Sequence, residues 1–275
     1  MKEINPERLK QDIVQALSHI GYNAGEFVRD KFIKCADIED SEIAIDILHS
    51  LVKNIDIAAE GNFPLCQDTG LVVFWVKKGE GVQVKNLEQT LNKAVIEAFS
   101  KNNFRHSVVR DPIDRVNTGN NAPAIIHIKI VPEDIFEINI MLKGGGSENM
   151  SALKMLKPAD GIQGIRDFII ETVKNAGGKA CPPLFIGVGI GGNFETCAWL
   201  AKKALFRETE NTGFWLSEEQ HLLNEINKLN IGPMGLGGKI TAIKVNIETA
   251  PCHIACLPVA VNLECHAHRC MMIKY

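Results

Sequence analysis

One candidate site in the sequence is a cysteine-containing loop at residues 62–70, NFPLCQDTG. Cys66 is followed at once by Gln67, Asp68 and Thr69, whose polar side chains could orient a bound ligand. Cysteine is also among the residue types most often buried as a small apolar side chain, so the loop fits a packed cysteine beside an aspartate-capped turn as well. The local pattern alone gives the ligand-binding and packing interpretations about equal weight.

Two other segments are rich in cysteine. In KACPP, at residues 179–183, two prolines fix the backbone directly after Cys181 and would hold its sulfur in place. The C-terminal segment contains Cys252, His253, Cys256, Cys265, His266, His268 and Cys270. Zinc is one candidate metal, but the paired short spacings of a zinc ribbon or finger are missing, whereas iron–sulfur clusters accept thiolates that are far apart in sequence. Several of these cysteines are expected to be packing residues whatever binds there.

A glycine-rich segment between an apparent strand and a helix has the spacing of a dinucleotide-binding fingerprint. Its glycines are Gly187, Gly189 and Gly192, with Glu208 and Glu210 farther on. The βαβ unit that opens such a domain is missing, because a helical section and several strands precede this segment. We therefore prefer a helix N-terminus that contacts an anion, or close packing on a neighbouring element.

Two segments are candidates for binding an anion. The loop FRHSVVRDPIDRVNTGNNAPA contains Arg105, Arg110 and Arg115, and an arginine side chain can bind a carboxylate through two parallel hydrogen bonds. KGGGSEN, at residues 143–149, offers backbone amides that a ligand can approach closely. Taken singly, each arginine is more often a solvated surface charge than a ligand.

Hydrophobic periodicity predicts the elements that position these segments. The apolar spacing indicates helices from residue 6 to about 59, with Asp40 or Ser41 as a cap and Glu42 in the first turn of one of them. Further helices are predicted at 86–101, 161–176 and 217–229 and over NFETCAWLAKKALF. Strands are predicted for LVVFWVKKG, for AIIHIKIV and FEINIMLKGGG as an adjacent pair, for PLFIGVGIGG and for ITAIKVNIE. The predicted fold class is α+β, an N-terminal helical section followed by a mixed or antiparallel sheet flanked by helices.

Composition excludes several classes of protein. The 275 residues are 45% hydrophobic and 23% charged, enough for one large domain or two small ones. A net charge of -3 with scattered basic residues argues against nucleic acid or an anionic membrane as a partner. Without a signal sequence or a run of about 20 apolar residues, the protein is expected to be soluble and cytoplasmic. Its eight cysteines are then not expected to form structural disulfides.

Taken in order, these motifs resemble the α part of class I, iron–sulfur-dependent fumarases and of the related L(+)-tartrate dehydratase. The motifs are NFPLCQDTG, FRH with NTGNNAPA, KGGGSEN, ACPPLFIGVGIGG, IGPMGLGG and HIACLPVAVNLECHAHR. They span nearly the whole chain, and the ordered set is far more specific than any single motif. The resemblance implies one α-type catalytic domain over residues 1–275, with residues 1–60 as a helical subregion.

The resemblance also implies a 4Fe–4S cluster held by Cys66, Cys181 and Cys265, with one iron left open. This iron would act as a Lewis acid on the hydroxyl and carboxylate of a malate-like substrate. The other cysteines fall outside the family's ligand positions and are assigned to packing; these are Cys35, Cys197, Cys252, Cys256 and Cys270.

The positions that line the substrate site in the family match Gln67, Asp68, Arg105, Gly145 and His253. Arg110 could take the role of Arg105, since both lie in the same loop. The forms GGGSEN and NTGNNAPA resemble fumarases more than tartrate dehydratases, which favours fumarate and malate as substrates. The predicted activity is the reversible hydration of fumarate.

Single-chain members of the family continue into another domain that supplies further arginines, a lysine and the proton-abstracting group. This sequence ends at Tyr275, so we expect a separate β-type subunit or a longer parent chain. Three alternatives stay open: a tartrate or other hydroxydicarboxylate dehydratase, a non-catalytic metal-binding or assembly module, and a Rossmann-type dehydrogenase.

Overall fold

A computed structural model describes residues 2–275 of the chain and confirms an α+β fold. The α-helices in this part of the chain are α1 (Pro6–Tyr22), α2 (Glu26–Ile38), α3 (Glu42–Gly61), α4 (Leu87–Lys101), α5 (Gly145–Glu148), α6 (Gly161–Ala176), α7 (Phe194–Ala204) and α8 (Gly213–Asn227). The strands are β1 (Lys2–Ile4), β2 (Leu71–Gly79), β3 (Val82–Val84), β4 (Ile125–Val131), β5 (Phe136–Lys143), β6 (Ala152–Leu156), β7 (Leu184–Gly191), β8 (Ala242–Ala250), β9 (Leu257–Glu264) and β10 (Arg269–Lys274).

The described residues form two compact units. Unit 1 contains residues 2–27, 54–145 and 269–275, and unit 2 contains residues 28–53 and 146–268. The helical opening section is therefore divided, with α1 in unit 1 and α2 in unit 2. The family resemblance predicts one catalytic domain by shared ancestry, whereas these two units are defined by packing. The single domain therefore stays a prediction.

Unit 1 is built on a four-stranded mixed sheet in the order β10-β5-β2-β4, with β1 and β3 as a separate parallel pair. Helices α1 and α4 pack together, and their buried side chains share one core with alternate residues of the sheet. This core includes Leu17 of α1, Phe74 of β2 and Ile140 of β5. Asn5 caps α1 by accepting hydrogen bonds from the Glu7 and Arg8 amides, so the chain enters this helix at a fixed residue.

The prediction that AIIHIKIV and FEINIMLKGGG form adjacent strands is wrong. These segments become β4 and β5, but β2 lies between them, parallel to β4 and antiparallel to β5. The middle of β2 is a run of buried apolar residues, whereas β4 leaves Ile128 and Ile130 exposed. The more apolar strand takes the central position because its side chains are covered on both faces of the sheet.

Unit 2 contains a second four-stranded mixed sheet in the order β6-β9-β7-β8. Strand β7 is parallel to β8 and antiparallel to β9. Ile186, Val188 and Ile190 pack in one core with buried residues of α6 and α8. Helix α7 packs against β7 and β9, where Cys197, Ala201 and Ala260 form a smaller cluster. Sequence periodicity assigned no element to the C-terminal segment, but this segment supplies β9, an inner strand of this sheet, and β10, an edge strand of the unit 1 sheet.

The glycines that match the dinucleotide-binding spacing are explained by packing of α7. A Cβ atom on Gly187 would lie 2.1 Å from the Ala201 carbonyl oxygen, and one on Gly189 would lie 2.0 Å from the Cys197 carbonyl oxygen. Only glycine allows the helix backbone to approach the strand this closely. The structure thus favours the close-packing interpretation of this segment over nucleotide binding.

The turn between α2 and α3 is fixed by two side chains. Ser41 accepts a hydrogen bond from the Ala44 amide at 3.4 Å and caps α3, as one of the two sequence alternatives predicted. Glu39 is buried and accepts backbone hydrogen bonds from Asp40 and, on a distant segment, from Lys239 and Ile240. Burial alone would raise the pKa of Glu39, but its backbone donors outweigh burial and hold the pKa below its ordinary value.

None of the described helices is both long and apolar enough to cross a membrane.

Candidate active site

The turn that carries Asp68 lies in unit 1 between α3 and β2. The Asp68 carboxylate accepts a hydrogen bond from the Gly145 amide at 2.7 Å (Oδ2 to N). Its backbone carbonyl accepts a second hydrogen bond from Arg269 Nη2 at 2.9 Å. Both the side chain and the main chain of Asp68 are therefore fixed by segments that are distant in sequence.

The Asp68 turn lies directly against the glycine-rich end of β5. Gly70 has a φ of +85°, and a Cβ atom there would lie 2.2 Å from the Lys143 carbonyl oxygen. A Cβ atom on Gly144 would lie 3.3 Å from Asp68 Oδ2. Any larger residue at Gly70 would need both a strained backbone and a displaced β5 end, so glycine is required there.

The segment that carries Arg105 also joins this turn. The Arg105 amide donates a hydrogen bond to Thr69 Oγ1 at 3.2 Å, and the Arg105 side chain is exposed. The Asn121 side chain donates to the Gly70 carbonyl oxygen at 3.1 Å. Asp68 and Gly145 thus meet in unit 1 through a direct hydrogen bond, and Arg105 joins them through the Thr69 side chain next to Asp68.

Sequence reasoning missed two buried cations beside Asp68. Lys143 and Arg269 are each only 1% exposed, and Lys143 Nζ donates to the Gly144 carbonyl oxygen at 3.3 Å. A positive charge is costly to bury unless its N–H groups are bonded, and these two cations donate to the main-chain carbonyl oxygens of Gly144 and Asp68. Lys143 could have been found as a cation that ends the apolar strand FEINIMLK. Arg269 had no such local signal, because it lies among the cysteines and histidines of the C-terminal segment.

The structure places the remaining residues of these loops at the surface. Gln67 is exposed and Cys66 is half-buried. Arg110 lies in a small hairpin, where its amide donates to the Val116 carbonyl oxygen at 2.8 Å. Its side chain is exposed, as is that of Arg115.

Cys181 and Cys265 occupy neighbouring places in unit 2. Cys181 has a left-handed backbone with a φ of +54° and precedes a pair of prolines. Its carbonyl oxygen lies 3.2 Å from both the backbone nitrogen and ring Nδ1 of His266. Cys265 directly follows β9 and is buried. The Cys181 segment therefore contacts the residue that directly follows Cys265, and the assignment of both cysteines as cluster ligands stays a prediction.

His253 lies in the exposed loop between β8 and β9 of unit 2. Its Nδ1 atom accepts a hydrogen bond from the Ala255 amide at 3.1 Å. The ring lines a cleft of about 400 Å³ whose other walls include Phe214, Trp215 and Ile254. The structure thus places His253 beside an apolar cleft.

Comparison with known proteins identifies the family. The family model for fumarate hydratase (Fumerase) matches residues 10–274. The chain belongs to the fumarate hydratase family. A putative L(+)-tartrate dehydratase subunit alpha from Methanocaldococcus jannaschii is 40% identical over 95% of each chain. The L(+)-tartrate dehydratase subunit alpha of Escherichia coli K12 is 34% identical over 98% of this chain and 92% of its own. These matches confirm the resemblance inferred from the motifs and establish a hydro-lyase α-type chain.

Two of the cysteines that the family resemblance assigned to packing have raised thiol pKa values. Burial raises the pKa of Cys35 to about 11. Burial also raises the pKa of Cys197, which packs between α7 and β9. A raised pKa makes a thiol harder to deprotonate, which agrees with the prediction that both residues are packing residues. Among the described cysteines the structure shows no disulfide.

Within residues 2–275, no group of three or more His, Cys, Asp or Glu side chains is arranged to hold a metal ion. A single ion needs its donors around one point, whereas the thiolates of an iron–sulfur cluster bind different irons. The donors expected for a cluster in this fumarate hydratase family member are thiolates, and the adjacent placement of Cys181 and Cys265 fits such a group.

Proposed function

We propose that this chain is the α subunit of an iron–sulfur-dependent hydro-lyase that reversibly hydrates fumarate to malate. The observation that carries the proposal is the meeting of Asp68, Arg105 and Gly145 beside the buried cations Lys143 and Arg269. A dianionic substrate needs positive charge and directed hydrogen bonds, and this part of unit 1 offers both. Membership of the fumarate hydratase family supports the reaction class.

Cys66, Cys181 and Cys265 would hold a 4Fe–4S cluster. When bound, such a cluster supplies a Lewis acid at its open iron that makes hydroxide a tolerable leaving group. Burial raises the pKa of Cys35 and of Cys197, which supports leaving these two thiols out of the ligand set, because iron binding requires deprotonation.

The remaining roles belong to the chain's own side chains. Arg105 binds a substrate carboxylate, and Asp68, oriented by the Gly145 amide, accepts a hydrogen bond from the substrate hydroxyl. Gln67 and His253 supply further polar contacts. None of these residues is an evident base for the carbon-bound proton, so we assign that base to a β-type partner subunit. The protein is proposed to work in the cytoplasm without nucleic acid or membrane.

L(+)-tartrate is the second candidate substrate. The relatives from M. jannaschii and E. coli are both named as L(+)-tartrate dehydratase alpha subunits, which supports this alternative. Against it stand the fumarase-like motifs GGGSEN and NTGNNAPA. Tartrate carries one more hydroxyl than malate, so the substrate preference depends on which side chains form hydrogen bonds with that hydroxyl.

The test is anaerobic reconstitution of the chain with iron, sulfide and the β-type subunit, followed by assays on fumarate, malate and L(+)-tartrate. We expect broad visible absorption and the highest kcat/KM on fumarate and malate. A higher kcat/KM on tartrate would reverse the substrate order. Absorption without turnover of any dicarboxylate would indicate a non-catalytic metal-binding module. Cys66→Ser should abolish the absorption, whereas Cys35→Ser, the matched control, should retain it.

A further inference from the structure

Asn121 is a fully buried asparagine in unit 1, in the segment between α4 and β4. Its backbone is left-handed, with a φ of +58°. Among residues other than glycine, asparagine tolerates this conformation best. A buried primary amide must also have its donors and acceptor satisfied, so the contacts of this side chain show what it holds together.

The Asn121 side chain connects two segments of the candidate site. Its Oδ1 atom accepts hydrogen bonds from the Ser107 amide at 2.6 Å and the Val108 amide at 3.3 Å. Its Nδ2 atom donates to the Gly70 carbonyl oxygen at 3.1 Å. Two N–H donors face one end of the amide and a carbonyl faces the other, which fixes the orientation of the group.

The two connected segments are those that carry Arg105 and Asp68. Ser107 lies two residues after Arg105, and Gly70 lies two residues after Asp68. The hydrogen bond from the Arg105 amide to Thr69 Oγ1 is a second, parallel link between the same segments. The Asn121 side chain therefore links the backbone of the Arg105 segment to the backbone of the Asp68 turn, although Asn121 is adjacent to neither residue in sequence.

We propose that Asn121 is a positioning residue that holds the Arg105 segment against the Asp68 turn. Its effect on turnover rests on the proposed function, whereas its effect on the two segments does not. A displacement of about 1 Å in a reacting group can cost about a hundredfold in rate. A side chain that fixes Arg105 relative to Asp68 therefore determines how well both meet one substrate.

Two substitutions separate the two links made by this side chain. Asn121→Asp keeps the shape and the acceptor for Ser107 and Val108, but it places a carboxylate oxygen against the Gly70 carbonyl oxygen. Asn121→Gly removes the whole side chain and keeps the left-handed backbone. Circular dichroism and the thermal midpoint establish that each variant is folded.

In the reconstituted complex we expect kcat/KM to fall roughly ten- to a hundredfold for both variants. KM should rise further in Asn121→Gly than in Asn121→Asp, because only the glycine variant releases the Arg105 segment. A purely structural role would lower the active fraction and the thermal midpoint without this difference in KM. Unchanged kinetic constants in both variants would overturn the proposal.

Hydrogen exchange on the purified chain tests the same link without any assay of activity. The amides of Ser107 and Val108 should exchange faster in Asn121→Gly and stay protected in Asn121→Asp. Equal protection in wild type and Asn121→Gly would overturn the proposal. If the wild type turned over no dicarboxylate, the proposed function would fail, and the exchange experiment alone would decide the role of Asn121.

Asn86→Asp is the matched control. Asn86 also has a left-handed backbone, with a φ of +51°, but it is exposed and its side chain caps no helix amide. We expect its kinetic constants and its exchange at Ser107 and Val108 to equal those of wild type. Changes in Asn86→Asp as large as those in Asn121→Asp would show that any aspartate substitution acts in this way and would overturn the proposal.

Discussion

At the scale of single residues, the candidate residues differ in exposure. Arg105 and His253 are exposed and available to a ligand, whereas Lys143 and Arg269 are buried. The Arg269 guanidinium contacts the main chain of Asp68 rather than its carboxylate. We therefore propose contact with a ligand for the exposed Arg105 and His253, and a supporting role in unit 1 for Arg269.

We predict that Arg105→Ala and His253→Ala each lower kcat/KM about ten- to a hundredfold and leave the visible absorption of the reconstituted protein unchanged. The loss corresponds to roughly 1.5–3 kcal/mol for a hydrogen bond to a charged group. Steady-state kinetics and the absorption spectrum, recorded on the same anaerobic samples, measure the two effects.

Arg110→Ala is the comparison variant for Arg105→Ala, because both arginines are exposed in one loop. A larger loss in Arg110→Ala would transfer the carboxylate-binding role to Arg110. Loss of the absorption in either the Arg105 or the His253 variant would make that residue structural.

At the scale of elements, close backbone contacts fix how helices and turns meet the sheets. Helix α7 approaches β7 over Gly187 and Gly189, and the turn after α2 meets residues 239–240 through Glu39. The first contact requires glycine, because an added methyl group would collide with the helix backbone. The second requires a carboxylate, because a neutral side chain cannot accept the same backbone hydrogen bonds. They are therefore sensitive to conservative substitution.

We predict that Gly189→Ala destabilises the fold by roughly 1–3 kcal/mol, because its Cβ atom would collide with the backbone of α7. Denaturant unfolding followed by circular dichroism gives the free energy. Gly81→Ala is the control, since the closest atom to its Cβ is Asp134 Oδ1 at an ordinary 3.6 Å. Equal free energies of unfolding in the two variants would contradict the packing explanation of the glycine motif.

We predict that Glu39→Gln destabilises the fold by roughly 1.5–3 kcal/mol at neutral pH, because the amide offers fewer acceptors to the backbone donors. The pKa of Glu39 is lowered in the folded state, so its stabilising contribution is complete above the unfolded pKa of about 4.3. That contribution is lost as pH falls through the lower folded pKa.

The difference in stability between wild type and Glu39→Gln should therefore shrink below about pH 4. Denaturant unfolding at a series of pH values, over the range in which the wild type is folded, measures this difference. Glu42→Gln, an exposed residue in the same turn, should show only a small difference. A constant Glu39 difference down to the lowest pH would indicate that the carboxylate charge is not what stabilises this turn.

At the scale of the whole molecule, the proposed reaction sets out which groups a complete site must contain. Hydration of a double bond needs a Lewis acid, a base for the carbon-bound proton and contacts to both carboxylates. The chain offers candidates for the first and the last of these. The relatives named as alpha subunits are consistent with a second chain that supplies the rest.

We predict that the reconstituted chain alone is nearly inactive on fumarate, malate and L(+)-tartrate until a β-type subunit is added. The reason is that we assign the base for the carbon-bound proton to that subunit, and without a base the cleavage of the carbon–hydrogen bond is not assisted. Anaerobic assays with and without the second subunit, at equal iron content, measure the effect. Comparable turnover in both samples would require a base within this chain, and Asp68 or His253 would then be the first candidates.

Much of the fold was determined locally by the sequence. The 3.6-residue and two-residue periodicities predicted most helices and the strands β2, β4, β5, β7 and β8, because each pattern reflects which face of an element is buried. The ordered motifs also predicted the family, which the family model confirms. Short or mixed segments such as β6 and β10 carry too few residues for such a pattern.

Only the tertiary structure decided which segments become neighbours. Strand β2 lies between β4 and β5 although it precedes both, and the glycine motif serves helix packing rather than a nucleotide. Only the positions of Asp68 and Gly70 in the structure showed that their surroundings include the buried polar residues Lys143, Arg269 and Asn121. Local patterns record burial along one element, whereas the partners of a buried polar group come from distant segments and depend on the whole packed unit.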